Sequence, residues 1–285
     1  MKGLWLALLT VREAILKGTL IVYFVVGNLI ILFFAIAIHS SYEDGVLMIS
    51  IFGEKFAPRM FQGFNVLDFL LLQLFQSSTS AIMLFGVFAT AGLIPSMLEK
   101  GSVELYLSKP LSRTNLLLSR SLGACGGIAA NMLYFAVGIW LLFGIKVGIW
   151  HSGFLLASLA AIIIFLFYYS IVAFVAIVSR STGFSIMFAF LFSFFSGALQ
   201  LREQTLFRWW DNVVFHRFLD ALYYGTPQLN SMIQSASMLI SAHSFGVSAD
   251  PTTAAAFSVM PFVYSFFSAS LIYGFAAWFF SRQDY

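Results

Sequence analysis

One stretch of the sequence, between Pro95 and Arg113, concentrates charged residues and helix-breaking residues. Pro95 suits a first helical turn and Pro110 ends a helix at the residue before it, so the stretch predicts a helix of about three turns. Lys100 and Glu104 are four residues apart and can pair on one face of that helix. The other side is apolar and carries Met97, Leu98, Leu105 and Tyr106, and Ser112 is predicted to cap the helix that follows. The pattern predicts either a stiff element that transmits force from a partner or an ordinary polar loop.

The other residues whose side chains could take part in catalysis or metal binding are scattered along the chain. Cys125 is the only cysteine, which excludes an internal disulfide and a thiolate metal cluster. The histidines show no pair at the i, i+4 spacing of a helical metal site; they are His39, His151, His216 and His243. An intramembrane enzyme would need ionisable groups that converge within the spans, and no such set is visible. We therefore expect no catalytic residue, no metal site and no bound cofactor in this chain.

The composition is that of a membrane protein. Hydrophobic residues make up 60% of the chain and charged residues only 9%, whereas soluble domains carry about 25% charged residues. The mean hydropathy is +0.92. The net charge of +3 suits contact with anionic membrane lipids. It does not indicate nucleic acid, because no basic stripe is long enough to follow a phosphate backbone.

Six stretches are long and apolar enough to cross a membrane as helices. Their predicted limits are 19–38, 67–93, 122–145, 153–178, 183–200 and 259–280. The predicted fold class is therefore all-α: a polytopic protein with a single membrane domain over 1–285. Residues 3–17 predict an amphipathic helix in the membrane interface.

The long segment 201–258 predicts amphipathic helices on the outer side of the membrane. Its aromatic and charged residues recur at helical spacing, and Trp and Tyr favour the membrane–water boundary. A break is expected at Tyr223 to Pro227, and a second amphipathic helix from Leu229 to Ile240.

Basic residues predict the orientation, because Lys and Arg gather on the cytoplasmic side. The segment 96–120 alone holds Lys100, Lys109, Arg113 and Arg120. We expect both termini in the cytoplasm and a location in the cell membrane, the bacterial inner (cytoplasmic) membrane.

The second span carries the main polar residues near or within a span. Asp68 at its edge is either a helix cap at the headgroup level or a functional ionisable group. Gln73, Gln76 and the hydroxyl residues 77–80 form a polar stripe, which either lines a pathway or bonds to other helices. Gly123 and Gly127 at the start of the third span predict close helix packing, within the chain or across a dimer.

A resemblance to a known family rests on three runs of residues. They are Glu99-Lys100-Gly101-Ser102-Val103-Glu104, Leu107-Ser108-Lys109-Pro110-Leu111-Ser112-Arg113 and Leu117-Leu118-Ser119-Arg120. These runs resemble the coupling-helix region of type-2 ABC exporter permeases, the ABC-2 family. Ser102 stands where that family more often has threonine, which keeps the hydroxyl. The ending Phe280-Ser281-Arg282-Gln283-Asp284 is similar to the family's aromatic, Arg and Asp ending.

The resemblance implies that membrane passage and ATP hydrolysis belong to separate chains. Two permease chains pair, and two cytoplasmic ABC ATPases bind ATP and Mg beneath them. This sequence lacks the Gly-x-x-x-x-Gly-Lys-Ser/Thr phosphate loop, so the ATPase is expected to be a separate polypeptide. By family analogy, Glu99 and Glu104 make docking contacts, Gly101 allows close backbone approach, Pro110 fixes the bend, and Arg113 holds the loop.

The expected function is that of a permease subunit without enzymatic activity, which exports a hydrophobic or amphipathic substrate. The alternative is a mechanotransmission or anchoring complex that acts on an extracytoplasmic partner, which the length of 201–258 motivates. An ATP-independent channel or carrier is a third hypothesis, which the coupling motif disfavours. Lipids, peptides, glycans and hydrophobic drugs are all open as substrates.

Overall fold

The computed structural model of the protein describes residues 2–43, 46–56, 66–98, 112–209, 212–242 and 257–282. Helices dominate these residues. In chain order they are α1 (Lys2–Leu16), α2 (Thr19–Ala37), α3 (Val66–Thr90), α4 (Arg113–Val147), α5 (Ser152–Ser179), α6 (Thr182–Gln200), α7 (Leu206–Trp209), α8 (Val213–Gly225), α9 (Leu229–Ala242) and α10 (Met260–Arg282).

Six of these helices are long and apolar enough to cross a membrane: α2, α3, α4, α5, α6 and α10. An all-α polytopic membrane protein is therefore confirmed, with each predicted span matched by one helix. Helices suit this role because every backbone N–H and C=O within the lipid must be hydrogen-bonded internally. We call the end of the bundle that carries α1 the α1 end, and the opposite end, where α2 and α6 finish, the sheet end.

The helix α5 lies at the centre of the bundle. It packs against α4, α6, α9 and α10. Tyr168 and Tyr169 are fully buried in it, and their hydroxyls donate to the carbonyls of Ala189 (2.7 Å) and Thr90 (3.3 Å). Because the membrane interior offers no water to satisfy these groups, the two tyrosines tie α5 to α6 and to the end of α3.

Glycines on α4 let two neighbouring helices approach closely. A Cβ added to Gly123 would lie 2.5 Å from the Ala7 carbonyl oxygen of α1, and one on Gly127 would lie 2.9 Å from the Leu20 side chain of α2. The Gly123–Gly127 pair thus serves packing within the chain, one of the two interpretations that its spacing allowed.

A three-stranded antiparallel sheet follows α2 and was not predicted. It comprises β1 (Ile38–Glu43), β2 (Val46–Ile51) and β3 (Glu54–Phe56), in the order β1-β2-β3. Phe52 and Gly53 join β2 to β3 with φ of 52° and 90°, which matches a two-residue hairpin turn with positive φ at both positions. The signal was present in the apolar run Val46 to Phe52, which has the length and composition of a strand.

The segment between α6 and α10 forms α7, α8 and α9 in its described part. The predicted break occurs, since α8 ends at Gly225 and α9 begins at Leu229. α9 packs into the bundle against α5, α3 and α6. Its buried face has helical spacing and consists of Leu229, Met232, Ala236 and Ile240. The helix α9 is therefore part of the core and does not project from it.

Candidate functional site

The structure describes the two flanks of the 95–113 segment. Glu99, Gly101, Glu104 and Pro110 lie outside the described residues, and so does most of the predicted three-turn helix. Arg113 is described and begins α4. What the structure defines at this site is therefore how its flanks are attached to the bundle.

The first flank is firmly packed. After α3 the chain continues through two short 3-10 helices, Ala91–Leu93 and Pro95–Leu98. Pro95 stands at the first position of the second, as its fixed φ allows. Met97 and Leu98, predicted on the apolar side of the segment, are both buried in the common core. The segment thus begins from an anchored position.

The second flank is capped and cross-linked. The Ser112 hydroxyl accepts a hydrogen bond from the Asn115 N–H at 3.2 Å, so the predicted cap at Ser112 is confirmed. The Arg113 guanidinium donates to the Ser281 carbonyl at 3.2 Å, near the end of α10. A cation at the carbonyl end of a helix is electrostatically favourable, and this bond joins the beginning of α4 to the end of α10.

A charged cluster connects α1 to both flanks. Glu13 of α1 pairs with Arg120 of α4, and its Oε1 accepts from the Ser96 hydroxyl at 3.2 Å. Lys17 adds a second cation 2.8 Å from the same carboxylate. The Arg120 residue is only 3% exposed. One carboxylate on α1 therefore holds both Ser96, at the start of the segment, and the helix that follows the segment.

The electrostatics of the cluster favour the ionised carboxylate. Burial raises the pKa of Glu13, but hydrogen bonds and charge from Arg120 and Lys17 outweigh it, so that the net pKa lies below its ordinary value of 4.5. The carboxylate is thus charged throughout the neutral range and keeps both cations paired.

This lowered pKa predicts a pH dependence of stability. A carboxyl with a depressed folded-state pKa stabilises the protein above its unfolded-state pKa, and that contribution is lost as the pH falls through the folded value. The stability gap between wild type and Glu13→Gln should therefore be constant near neutrality and close below pH 4.5. Thermal unfolding in detergent across this range measures the gap. Glu203→Gln, at an exposed glutamate, is the control, and a gap that persists unchanged at low pH would contradict the assignment.

The polar stripe on α3 lies on the surface of the chain near the middle of a span. Gln73, Ser77 and Ser80 are exposed, and Gln76 is half-buried. Ser77 and Ser80 donate to the carbonyls of Gln73 (2.7 Å) and Gln76 (3.0 Å), one turn earlier in the same helix. These hydroxyls are satisfied within α3 and do not join it to another helix. Asp68 lies in the first turn of α3, and its side chain lies outside the described part of the structure.

A second charged cluster lies at the sheet end, and its pairing was not predicted. The Arg202 Nε donates to Asp220 at 2.6 Å, and its guanidinium lies 3.9 Å from the Tyr223 ring centroid. Burial lowers the pKa of Arg202, but Asp220, Tyr223 and Glu203 together raise it. This cluster joins the end of α6 to α8, and the Arg202 guanidinium also donates to the Leu199 carbonyl at 3.3 Å.

The described histidines occupy separate settings. His151 caps α5 by accepting from the Phe154 N–H at 3.2 Å, and His216 stacks on the Phe207 ring at 4.0 Å. His39 is exposed on β1, and His243 lies outside the described residues. Among the residues described, no three His, Cys, Asp or Glu side chains come together as a metal site would require.

Comparison with known proteins adds no family to these observations. A scan of protein-family models found no match to the chain, and a search of curated proteins found none either.

Proposed function

We propose that this chain is the membrane subunit of an ATP-driven exporter of the ABC-2 type. In this proposal the α1 end faces the cytoplasm, where segment 95–113 docks on a separate ATPase that binds ATP and Mg. A second permease chain, identical or related, completes the transporter. The support comes from the motif between Glu99 and Arg120 together with the way its flanks are built.

The observation that carries the proposal is the anchoring of both flanks by one cluster. A force applied to the segment between residues 98 and 112 would act on the chain at Ser96 at one end and on α4 at the other. Glu13 contacts both, through Ser96 and Arg120. An ordinary surface loop would need no buried ion pair at its base. Desolvating Arg120 is costly unless it is paired, and the pairing gives the base of the segment a defined geometry.

The helices that leave this base are suited to carry motion across the membrane. α4 is a continuous helix of 35 residues, about 50 Å at 1.5 Å per residue. The Thr19 hydroxyl of α2 donates to the Ala89 carbonyl of α3 at 3.0 Å, so α2 and α3 are also joined at the α1 end. Movement of the segment would therefore reach three spans together.

The exposed polar face of α3 supports a pathway as part of the proposal. Polar groups in contact with hydrocarbon are unfavourable, so such residues generally face a protein neighbour or water. Gln73, Ser77 and Ser80 are exposed on the isolated chain, and a second chain opposite them would enclose a polar route. A route bordered by these groups and by the exposed Phe190 and Phe194 of α6 suits a hydrophobic or amphipathic substrate.

Charge reversal in the coupling segment provides the first test of the proposal. Glu99→Arg and Gly101→Trp should each abolish co-purification with the cognate ATPase, because one reverses a docking charge and the other blocks close backbone approach. The measurement is recovery of the ATPase on the tagged permease, followed by its ATP hydrolysis.

Matched controls exist at the sheet end. Glu203→Arg repeats the charge reversal at an exposed glutamate, and Gly225→Trp places the same indole where an added Cβ meets nothing within 4 Å. Both controls should bind the ATPase as wild type does. Wild-type binding and activity in Glu99→Arg and Gly101→Trp would refute the coupling assignment.

Thiol accessibility provides the test of the pathway. In a Cys125→Ser background, Ser77→Cys should react with a membrane-impermeant thiol reagent at least about tenfold faster than Leu29→Cys, because water ionises a thiol and lipid does not. Leu29 is also exposed, near the middle of α2, and serves as the lipid-facing control. Equal, slow reaction at both positions would place the α3 face in lipid.

A second candidate function, mechanotransmission to an extracytoplasmic partner, is favoured by one observation. α8 exposes Val213, Val214 and Phe218 at the sheet end, and these residues form a small apolar face that is not buried in the bundle. Deleting 201–258 would remove the core helix α9, so Val214→Glu with Phe218→Glu is the cleaner test. Loss of an outer partner with the ATPase still bound would favour this candidate.

A further inference from the structure

A groove opens between α2, α3 and α4 near the middle of these spans. Its empty volume is about 420 Å³, its open mouth included. Tyr23 and Gly27 line it from α2, and Ile82 from α3. Its other lining residues are also mainly apolar. The groove is separate from the charged clusters described above, and it shares Ser78 with the polar stripe of α3.

Four polar side chains line this groove, Tyr23, Ser78, Asn131 and Tyr134, and the last three donate hydrogen bonds within the chain. The Tyr134 hydroxyl donates to Asn28 at 2.8 Å, and the Ser78 hydroxyl donates to the Phe75 carbonyl at 3.2 Å. The Asn131 amide donates to the Gly127 carbonyl at 3.3 Å. The Asn131 Oδ1 accepts no hydrogen bond from the residues that the structure describes, so a free acceptor is left in an apolar groove.

We propose that this groove binds one hydrocarbon chain that carries a hydrogen-bond donor, such as a long-chain alcohol or the hydroxyl-bearing part of a lipid. The lining disfavours a charged ligand, since it contains no Asp, Glu, His, Lys or Arg side chain to pair with a charge. Its position halfway along three spans makes the bilayer the source of the ligand. A free acceptor at that depth selects for a donor, because hydrocarbon offers the acceptor no alternative partner.

A neighbouring cavity lies deeper in the bundle. A second space of about 270 Å³ lies between α3, α4 and α5 and shares Ser78, Ile82 and Phe135 with the groove. Phe135 is itself buried and forms part of the wall between the two spaces. A chain in the groove would therefore contact side chains that separate it from the core of the bundle.

Photo-crosslinking of the full-length chain in nanodiscs tests the proposal. The probes are a long-chain alcohol that carries a diazirine and the methyl ether of the same alcohol, which lacks the donor. We expect labelled peptides from the middles of α2, α3 and α4. The alcohol should label them roughly three- to fivefold more than the ether, the ratio that one hydrogen bond between groups in a membrane provides.

Three variants make the test specific. Ala81→Phe fills the groove that Ala81 lines and should remove the labelling, whereas Ala130→Phe makes the same change at an exposed position of α4 that does not line it and should keep it. Asn131→Leu should keep the labelling but bring the alcohol-to-ether ratio to about one.

Three results would overturn the proposal. The first is labelling spread evenly over all six spans, and the second is equal effects of Ala81→Phe and Ala130→Phe. The third is a disulfide between two copies of the chain through Phe24→Cys, at a residue that lines the groove, because it would show that a second copy covers the site.

Discussion

Replacing Glu13 by alanine is expected to lower the free energy of unfolding by about 2–3 kcal/mol. Breaking a buried ion pair by removing one partner costs roughly 3–5 kcal/mol, because the other charge stays in apolar surroundings. The smaller loss of about 2–3 kcal/mol is expected here because the Glu13 side chain is 25% exposed and water screens part of its interaction with Arg120. Arg120 is the partner left behind, and it is almost fully buried. Denaturation of the detergent-solubilised chain measures the loss.

The double variant Glu13→Leu with Arg120→Met separates charge from packing. It removes both charges and keeps apolar volume, so it should recover most of the stability that Glu13→Ala loses. Lys17→Met is the matched single control. Its ammonium pairs with the same carboxylate but is 45% exposed, so its loss should cost less than about 1 kcal/mol. A double variant as unstable as Glu13→Ala would show that the pair acts through shape and not through charge.

The same variants connect stability to the proposed function. If Glu13 positions the two flanks of segment 95–113, the double variant should fold yet transmit motion poorly, because its flanks have lost the polar bonds that join them. ATP hydrolysis by the bound ATPase would then continue while transport falls. Normal transport by a stable double variant would make the Glu13 cluster a purely structural feature.

The spans were predictable because the signal for them is long and continuous. About twenty consecutive apolar residues have few alternatives to a membrane helix, and the α5 prediction of 153–178 differs from Ser152–Ser179 by one residue at each end. α4 was harder, since it begins at Arg113, nine residues before the predicted 122. Its first turns are polar and extend beyond the apolar run, so only the cap at Ser112 marked the true start.

The pairings within the candidate site could not be predicted, because they join residues far apart in the sequence. Glu13 and Arg120 are separated by 107 positions, and nothing local to either indicates the other. Arg202 and Asp220 are nearer in sequence but meet only because α8 folds back on the end of α6. Spacing in the sequence identified the segment and its cap at Ser112, whereas the contacts that anchor the segment follow from the tertiary fold.

Gly123→Val is expected to lower the free energy of unfolding by about 3 kcal/mol or more. Overpacking usually costs roughly 1–3 kcal/mol when side chains can adjust. Here the added Cβ would lie 2.5 Å from the Ala7 carbonyl oxygen and 2.7 Å from the Thr10 Cβ. The first of these is backbone, so α1 as a whole must move away from α4.

The expected consequence is a local separation of α1 from the bundle. Glu13 lies on the same helix, so displacement of α1 would also draw it away from Arg120 and Ser96. Hydrogen exchange of residues 2–16 measures this directly, since amides of a helix that has lost its packing partner open more often. Exchange there should rise strongly in Gly123→Val while the amides of α5 stay protected.

Gly126→Val on the same helix is the matched control. An added Cβ at Gly126 meets nothing within 4 Å, and valine in a helix is no worse than glycine, so this variant should stay within about 0.5 kcal/mol of wild type. The two substitutions are chemically identical and three residues apart, which leaves contact with α1 as the difference between them. Equal stability in the two variants would mean that α1 does not pack on Gly123, and the anchoring of segment 95–113 through Glu13 would fail with it.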